Sequence, residues 1–277
     1  MSASSAPLLD DGTFARLRAL VHARTGIALG PGKRQLCQTR LMRRLRVLGL
    51  DSFRDYLRHL DDPHSAEHGE LVSAITTNVT AFFREPHHFD WMSTTLVPAL
   101  QREPERTRLR VWSAGCSTGE EPWSLAMVLD EARLPARWDV KVLATDIDAD
   151  VLAAADAGIY PDERVRPVSA ARRSQYFVRG TGDDTDHWRI APRLRERVRF
   201  RRLNLFETWP MRQRFDLIMC RNVIIYFTPE DKRRLVARFA EALVPGGHLV
   251  LGHSESLLGD LPGLVPTGKT IYRRRVP

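Results

Sequence analysis

The sequence has little cysteine and no long apolar run. Its three cysteines, Cys37, Cys116 and Cys220, are far apart and odd in number, which excludes a disulfide framework or a C-x-x-C metal pair. They are expected to be small buried residues in a reducing compartment. The nine histidines lack ligand spacing. His87 and His88 are adjacent and should diverge on a helix, so no metal is expected. No apolar stretch approaches the roughly 20 residues that span a bilayer, so no membrane insertion is expected. Residues 1–11 lack the basic-then-apolar pattern of a secretory leader and are expected to form a frayed tail. Internal repeats and low-complexity tracts are missing too. What is present is a globular composition: 277 residues, 43% hydrophobic and 27% charged, enough for one large or two modest domains. The surplus charge of +8 favours an acidic partner, whether nucleic acid, anionic lipid or protein, and its sign alone does not choose among them.

Residues 1–76 read as a small helical domain. Phe14, Leu17, Leu20 and Val21 keep a helical period that Gly26 ends. Cys37, Leu41, Leu45 and Leu48 follow at four, four and three, with a stop at Gly49. Asp51 is expected to cap a third helix holding Phe53, Tyr56, Leu57 and Leu60, and a fourth runs from near Ser65 to Ile75. The second helix, 33–48, carries Lys33, Arg34, Arg40, Arg43, Arg44 and Arg46, six cations in 14 residues with no acid among them. A solvated face would explain such a run; the lack of acids favours a docking surface for a negatively charged partner.

From 77 to 277 the pattern changes to alternating strand and helix, which predicts an α/β fold with a mostly parallel, doubly wound sheet. Leu109–Trp112, Val140–Asp148, Val198–Leu205, Phe215–Cys220 and His248–Leu251 read as its strands. A helix from Pro229 to Leu243 and a turn at 245–247 precede the last of these. Residues 270–273 supply a final, antiparallel strand. Residues 159–197 break the rhythm and predict a helix followed by a small antiparallel β insertion at about 176–197.

The turn after the first strand, Ser113-Ala114-Gly115-Cys116-Ser117-Thr118-Gly119-Glu120-Glu121-Pro122, has two glycines four apart and two acids at the helix start. A dinucleotide site wants three glycines and a bare helix N-terminus facing phosphate. Glu120 and Glu121 would repel phosphate and suit a cationic ligand, such as S-adenosylmethionine; acids that merely complement the helix dipole are the other reading. Asp146 closes the second strand where a ribose diol would lie. Two further clusters face the same crevice. Thr76–Glu85 supplies Asn78, Thr80 and the fixed cation Arg84. Cys220–Phe227 embeds Arg221, Asn222 and Tyr226 in an apolar run, where unpaired burial would be costly.

These motifs, with His87-His88-Phe89, Thr145-Asp146-Ile147-Asp148, Arg179-Gly180-Thr181-Gly182, Asn204-Leu205 and Gly252-His253-Ser254-Glu255, resemble the chemotaxis receptor glutamate O-methyltransferases of the CheR family over nearly the whole chain from about residue 13. The resemblance implies a class I methyltransferase (Rossmann-like) fold. It implies that Asn78, Thr80, Arg84, Glu121, Asp146, Asn204, Leu205, Arg221 and Asn222 bind S-adenosylmethionine, whose product is S-adenosylhomocysteine, and that Arg84 and Tyr226 assist the chemistry. The partners it implies are cytoplasmic domains of chemoreceptors, with the β insertion a binder of a C-terminal receptor peptide tether; the location is cytoplasmic, at receptor arrays. The competing readings are a methyltransferase acting on RNA or another acidic protein, and a non-catalytic cofactor-binding regulator. No base-stacking aromatic motif supports RNA, so no nucleic-acid partner is expected.

Overall fold

The computed structural model describes residues 7–255 and 263–276. Four helices come first: α1 (Asp11–Thr25), α2 (Arg34–Leu48), α3 (Phe53–His59) and α4 (Glu67–Ile75). Cys37, Leu41 and Leu45, at the predicted spacing, fill one buried face of α2 against Phe14, Leu17, Val21, Phe53, Tyr56 and Leu71. Gly26 and Gly49 end their helices in the left-handed conformation that glycine adopts without strain. The expected frayed tail extends at most to Leu8. Leu9 is buried in this core, its N–H donates to Gln38 Oε1, and Asp10 caps α1; residues 1–6 lie outside the described residues. The cap of α3 is Ser52, whose hydroxyl accepts from the Asp55 N–H, and not Asp51 as read.

The segment α5 (His87–Trp91), a π-turn over Met92–Leu96 and α6 (Val97–Gln101) leads into the sheet. Its strands are β1 (Arg108–Ala114), β2 (Asp139–Asp146), β6 (Val198–Arg202), β7 (Phe215–Cys220), β8 (Leu243–Leu251), β9 (Leu264–Gly268) and β10 (Ile271–Arg274), in the order β6-β2-β1-β7-β8-β10-β9. The first five in that order are parallel, and β10 is antiparallel to β8 and β9. Helices α7 (Glu120–Glu131), α8 (Ala149–Ala157) and α12 (Pro229–Ala242) cover the faces. Alternation along β1 serves two cores: Leu109 and Val111 pack on one face, Trp112 and Ala114 on the other. Trp112 sits against Trp209, Phe215 and Phe239 and donates its indole N–H to Thr145 Oγ1 at 2.9 Å.

Several boundaries differ from the sequence reading. Strand β2 stops at Asp146, because Asp148 turns to cap α8. Strand β6 stops at Arg202, so Asn204 and Leu205 lie in the loop beyond it. The turn expected at 245–247 is a bulge within β8: Phe215 pairs with Leu243 and Leu217 with His248. The small sheet takes its third strand from before the predicted insertion. It is β3 (Ile159–Pro161), β4 (Phe177–Arg179) and β5 (His187–Ile190), ordered β3-β5-β4 and antiparallel. Between β3 and β4 lie α9 (Asp162–Val165) and α10 (Ala170–Tyr176), and α11 (Pro192–Arg195) follows β5. Phe82 fastens this sheet, edge-on to Tyr160 and Phe177 at 5.0 and 5.3 Å.

Candidate active site

The strand order reverses between β1 and β7, and a cleft of about 380 Å³ opens at their C-terminal ends. Asn78, Thr80, Arg84, Glu121, Asp146, Asn204, Leu205, Arg221, Asn222 and Tyr226 all line it. The helical region also contributes walls, through Thr25, residues 27–30, Lys33 and Leu36, none of which the sequence pattern placed at the cleft. A backbone bond from Ala28 N–H to the Tyr226 carbonyl, 2.8 Å, holds the two parts together there.

The floor depends on glycine. Gly115 has φ 87°, and a Cβ there would lie 2.3 Å from a Val223 methyl, so the β1 turn touches the β7 loop only without a side chain. The carbonyl of Thr145 then accepts from both Gly115 and Cys116 N–H. Asp146 accepts from the N–H groups of Ser117 (2.8 Å) and Asp148 (3.1 Å). Those two bonds fix its carboxylate, while burial pushes its pKa up.

The acid pair divides. Glu120 is fully buried, paired with Arg164 at 2.6 Å and bonded to the Thr118 hydroxyl, so it does not face a ligand as the sequence reading supposed. Glu121 alone reaches the cleft. Ser113 Oγ donates to it at 2.7 Å and Arg221 at 3.0 Å; burial raises its pKa, against the opposing charge of Arg221. Arg221, buried itself, also lies 3.4 Å from Glu85 Oε2 and donates to the Arg84 carbonyl. Its Nε is buried without a hydrogen-bond partner among the described residues. The lining therefore offers acids, Asp146 and Glu121, and an orphaned cationic N–H within one cleft. That set fits a ligand carrying both an ammonium and a carboxylate.

Other side chains are more committed to the fold than the sequence suggested. Asn78 Nδ2 donates to Asp148 at 2.9 Å. Asn204 Nδ2 donates to the Arg24 carbonyl at 2.7 Å while its Oδ1 accepts from Phe206 N–H, which leaves mainly its backbone to a ligand. Asn222 sits at φ 59°, held there by its N–H to Glu255 Oε2 at 2.6 Å. Arg84 donates to the Val79 carbonyl at 2.8 Å and is in no ion pair among the described residues. Sequence reasoning did not assign roles to Glu85, Asp148 and Glu255. Each is an acid inside a quoted motif, and their signal was only that a carboxylate among apolar neighbours needs donors.

Two further expectations are corrected. The rings of His87 and His88 do not diverge; their centroids are 4.0 Å apart, and Glu85, His87 and His88 bring donor atoms within 4.8 Å of one another. The argument against a metal therefore fails. In α2, Arg44 is paired with Glu67 and Glu70, Arg40 binds the carbonyls of Ala74, Ile75 and Thr76, and Arg34 pairs with Asp11. Three of the six cations are thus used internally; among the described residues Lys33, Arg43 and Arg46 have no ion pair.

The family model described as CheR methyltransferase, SAM binding domain matches residues 78–269, and the CheR methyltransferase all-alpha domain matches residues 12–76. The chain belongs to the CheR methyltransferase family. The chemotaxis protein methyltransferase of Klebsiella aerogenes is 42% identical over 269 residues, 95% of this chain and 90% of its own. Chemotaxis protein methyltransferase 2 of Pseudomonas aeruginosa is 42% identical over 260 residues, 94% and 91% of the two chains. The Escherichia coli enzyme is 41% identical over 268 residues, 95% and 91%. This CheR-family chain is an S-adenosylmethionine-dependent methyltransferase of chemotaxis, built on the class I methyltransferase fold. Among the described residues no helix is long and apolar enough to cross a membrane.

Proposed function

We propose that this enzyme methylates glutamate side chains on the cytoplasmic rods of chemoreceptors, forming glutamyl methyl esters. The observation that carries the reading is the Arg84 guanidinium, in no ion pair among the described residues, in the same cleft as Tyr226 and the Asp146 and Glu121 acids. Bound there, S-adenosylmethionine supplies an electrophilic methyl on a sulfonium. Asp146 receives the ribose hydroxyls. Glu121 receives the ammonium on lone pairs left by Ser113 and Arg221, and the orphaned Arg221 Nε donates to the carboxylate. Asn78, Thr80, Asn204, Leu205 and Asn222 complete the cofactor's walls.

The acceptor glutamate, with an ordinary pKa of about 4.3, is already ionised at neutral pH and needs no general base. Arg84 keeps that carboxylate charged as it leaves water and, with Tyr226, aligns its oxygen on the methyl. Both residues position; neither moves a proton. Negative charge disappears as the ester forms, so a tighter grip on the carboxylate would slow the reaction. Lys33, Arg43 and Arg46 attract the acidic receptor surface, which brings the enzyme to receptor arrays. The open edge of β4, with Val178 54% exposed, accepts a receptor tether peptide by strand addition.

The test is transfer of label from methyl-labelled S-adenosylmethionine to receptor-rich membranes and, separately, to total RNA. Label should enter membranes, be released as methanol by mild base, and fall at least tenfold with Asp146→Ala. Label in RNA and not in membranes overturns the proposal.

A further inference from the structure

We propose that Glu85, His87 and His88 form a binding site for one divalent transition-metal ion of the zinc type, beside the methyl-transfer cleft. The argument starts from one proton. His88 Nε2 lies 3.1 Å from Thr270 Oγ1, and that hydroxyl donates onward to a backbone carbonyl, Leu251 at 2.9 Å or Lys269 at 2.8 Å. A hydroxyl has a single hydrogen. It therefore accepts from His88, and Nε2 carries the ring proton.

The other nitrogen is then a bare lone pair. A neutral imidazole has one protonated and one bare nitrogen. Nδ1 is buried, has no hydrogen-bond partner among the described residues, and lies 3.5 Å from Glu85 Oε2. Glu85 offers its carboxylate as an acceptor to the His253 N–H and ring and lies against the Arg221 guanidinium. Two acceptors thus face each other with no hydrogen between them, an arrangement that a cation resolves. Exposed His87 lies against His88, its ring tilted by 45°, and adds a third donor, all three sets lying within 4.8 Å.

The donor chemistry selects the ion. Two imidazoles and one carboxylate suit Zn²⁺ and its neighbours, and disfavour Ca²⁺ and Mg²⁺, which take oxygen. Zinc bonds of about 2.0–2.2 Å would draw the donors together from their present spacing, and exposed His87 has room to swing inward. The outer partners that orient ligands are already present. Thr270 fixes the His88 tautomer, and His253 Nδ1 (2.8 Å), His253 N–H (3.1 Å) and Asn222 Nδ2 (3.4 Å) bond Glu85. Arg221, 3.4 Å from Glu85 Oε2, is an opposing cation. Because Glu85 braces Arg221, the ion acts as a clip on the cleft wall and takes no part in methyl transfer.

The experiment titrates tag-free, chelator-washed full-length protein with Zn²⁺ by calorimetry, alongside His87→Ala, His88→Gln and the control His64→Ala. His87 is exposed, so its variant folds even if His88→Gln does not, and S-adenosylhomocysteine binding checks that fold. We expect one Zn²⁺ per wild-type and His64→Ala chain, weakened roughly tenfold or more by His87→Ala. Absence of stoichiometric binding, or equal affinity in wild type and His87→Ala, overturns the site.

Discussion

Asp148 accepts a hydrogen bond from Asn78 Nδ2 at 2.9 Å, joining the segment after the helical bundle to the end of β2. The same buried carboxylate takes the hydroxyls of Ser73 (2.7 Å) and Thr76 (3.1 Å) and caps α8 through Asp150 N–H. The Asn78 carbonyl in turn accepts from Ser117 Oγ at 2.9 Å, on the turn whose Ser117 N–H binds the Asp146 carboxylate.

Asp148→Ala should therefore lower both stability and cofactor affinity. Several part-buried donors lose their acceptor at once, at up to about 1–3 kcal/mol for each that water cannot reach. Denaturant midpoints and calorimetric binding of S-adenosylhomocysteine measure the two effects. Unchanged affinity in a destabilised variant would reduce Asp148 to a joint between the two parts.

Glu255 receives the N–H groups of Asn222 (2.6 Å), Gly252 (2.7 Å) and Ile225 (3.1 Å), and so shapes the loop that presents Tyr226. Glu255→Ala should lower kcat about tenfold or more, with a smaller change in the KM for cofactor, because the loop misplaces Tyr226 while the β1 turn and Asp146 remain. Glu255→Gln keeps one acceptor and should recover part of the rate. Equal loss in both variants, or an effect on KM alone, contradicts this.

The half-buried imidazole of His248 sets a pH dependence. Burial lowers its pKa to about 4, helped by Arg273, and its Nδ1 has no hydrogen-bond partner among the described residues. Below about 6.5 the unfolded chain binds a proton there that the folded chain refuses until about pH 4. Folding stability is thus lost as pH falls through that window, by on the order of 3 kcal/mol. His248→Leu, against Trp91, should flatten the decline, read as urea midpoints from pH 7 to 4. An identical slope in the variant refutes the assignment.

Much of this was legible in the chain because periodicity survives in sequence. Leu41 and Leu45 face inward as their spacing demands, and the turn from Ser113 to Pro122 lies under the cleft. Partners do not survive in sequence. Arg44 looked available for docking because its acids, Glu67 and Glu70, lie on another helix. Glu120 and Glu121 are adjacent and chemically alike, and only the helix direction sends one to Arg164 and the other to the cleft. Strand β9 was missed because Pro266 and Gly268 hide a strand pattern that pairing with β10 alone sustains.

The cleft is walled by residues from Thr25 to Phe227, drawn from the bundle and the sheet alike. Its ligand is thereby a fastener as well as a reagent. A ligand at a hundred times its dissociation constant adds about 2.7 kcal/mol to the folded state. Saturating cosubstrate should accordingly raise the protein's unfolding midpoint, and its withdrawal should loosen the joint between bundle and sheet as well as stop the reaction.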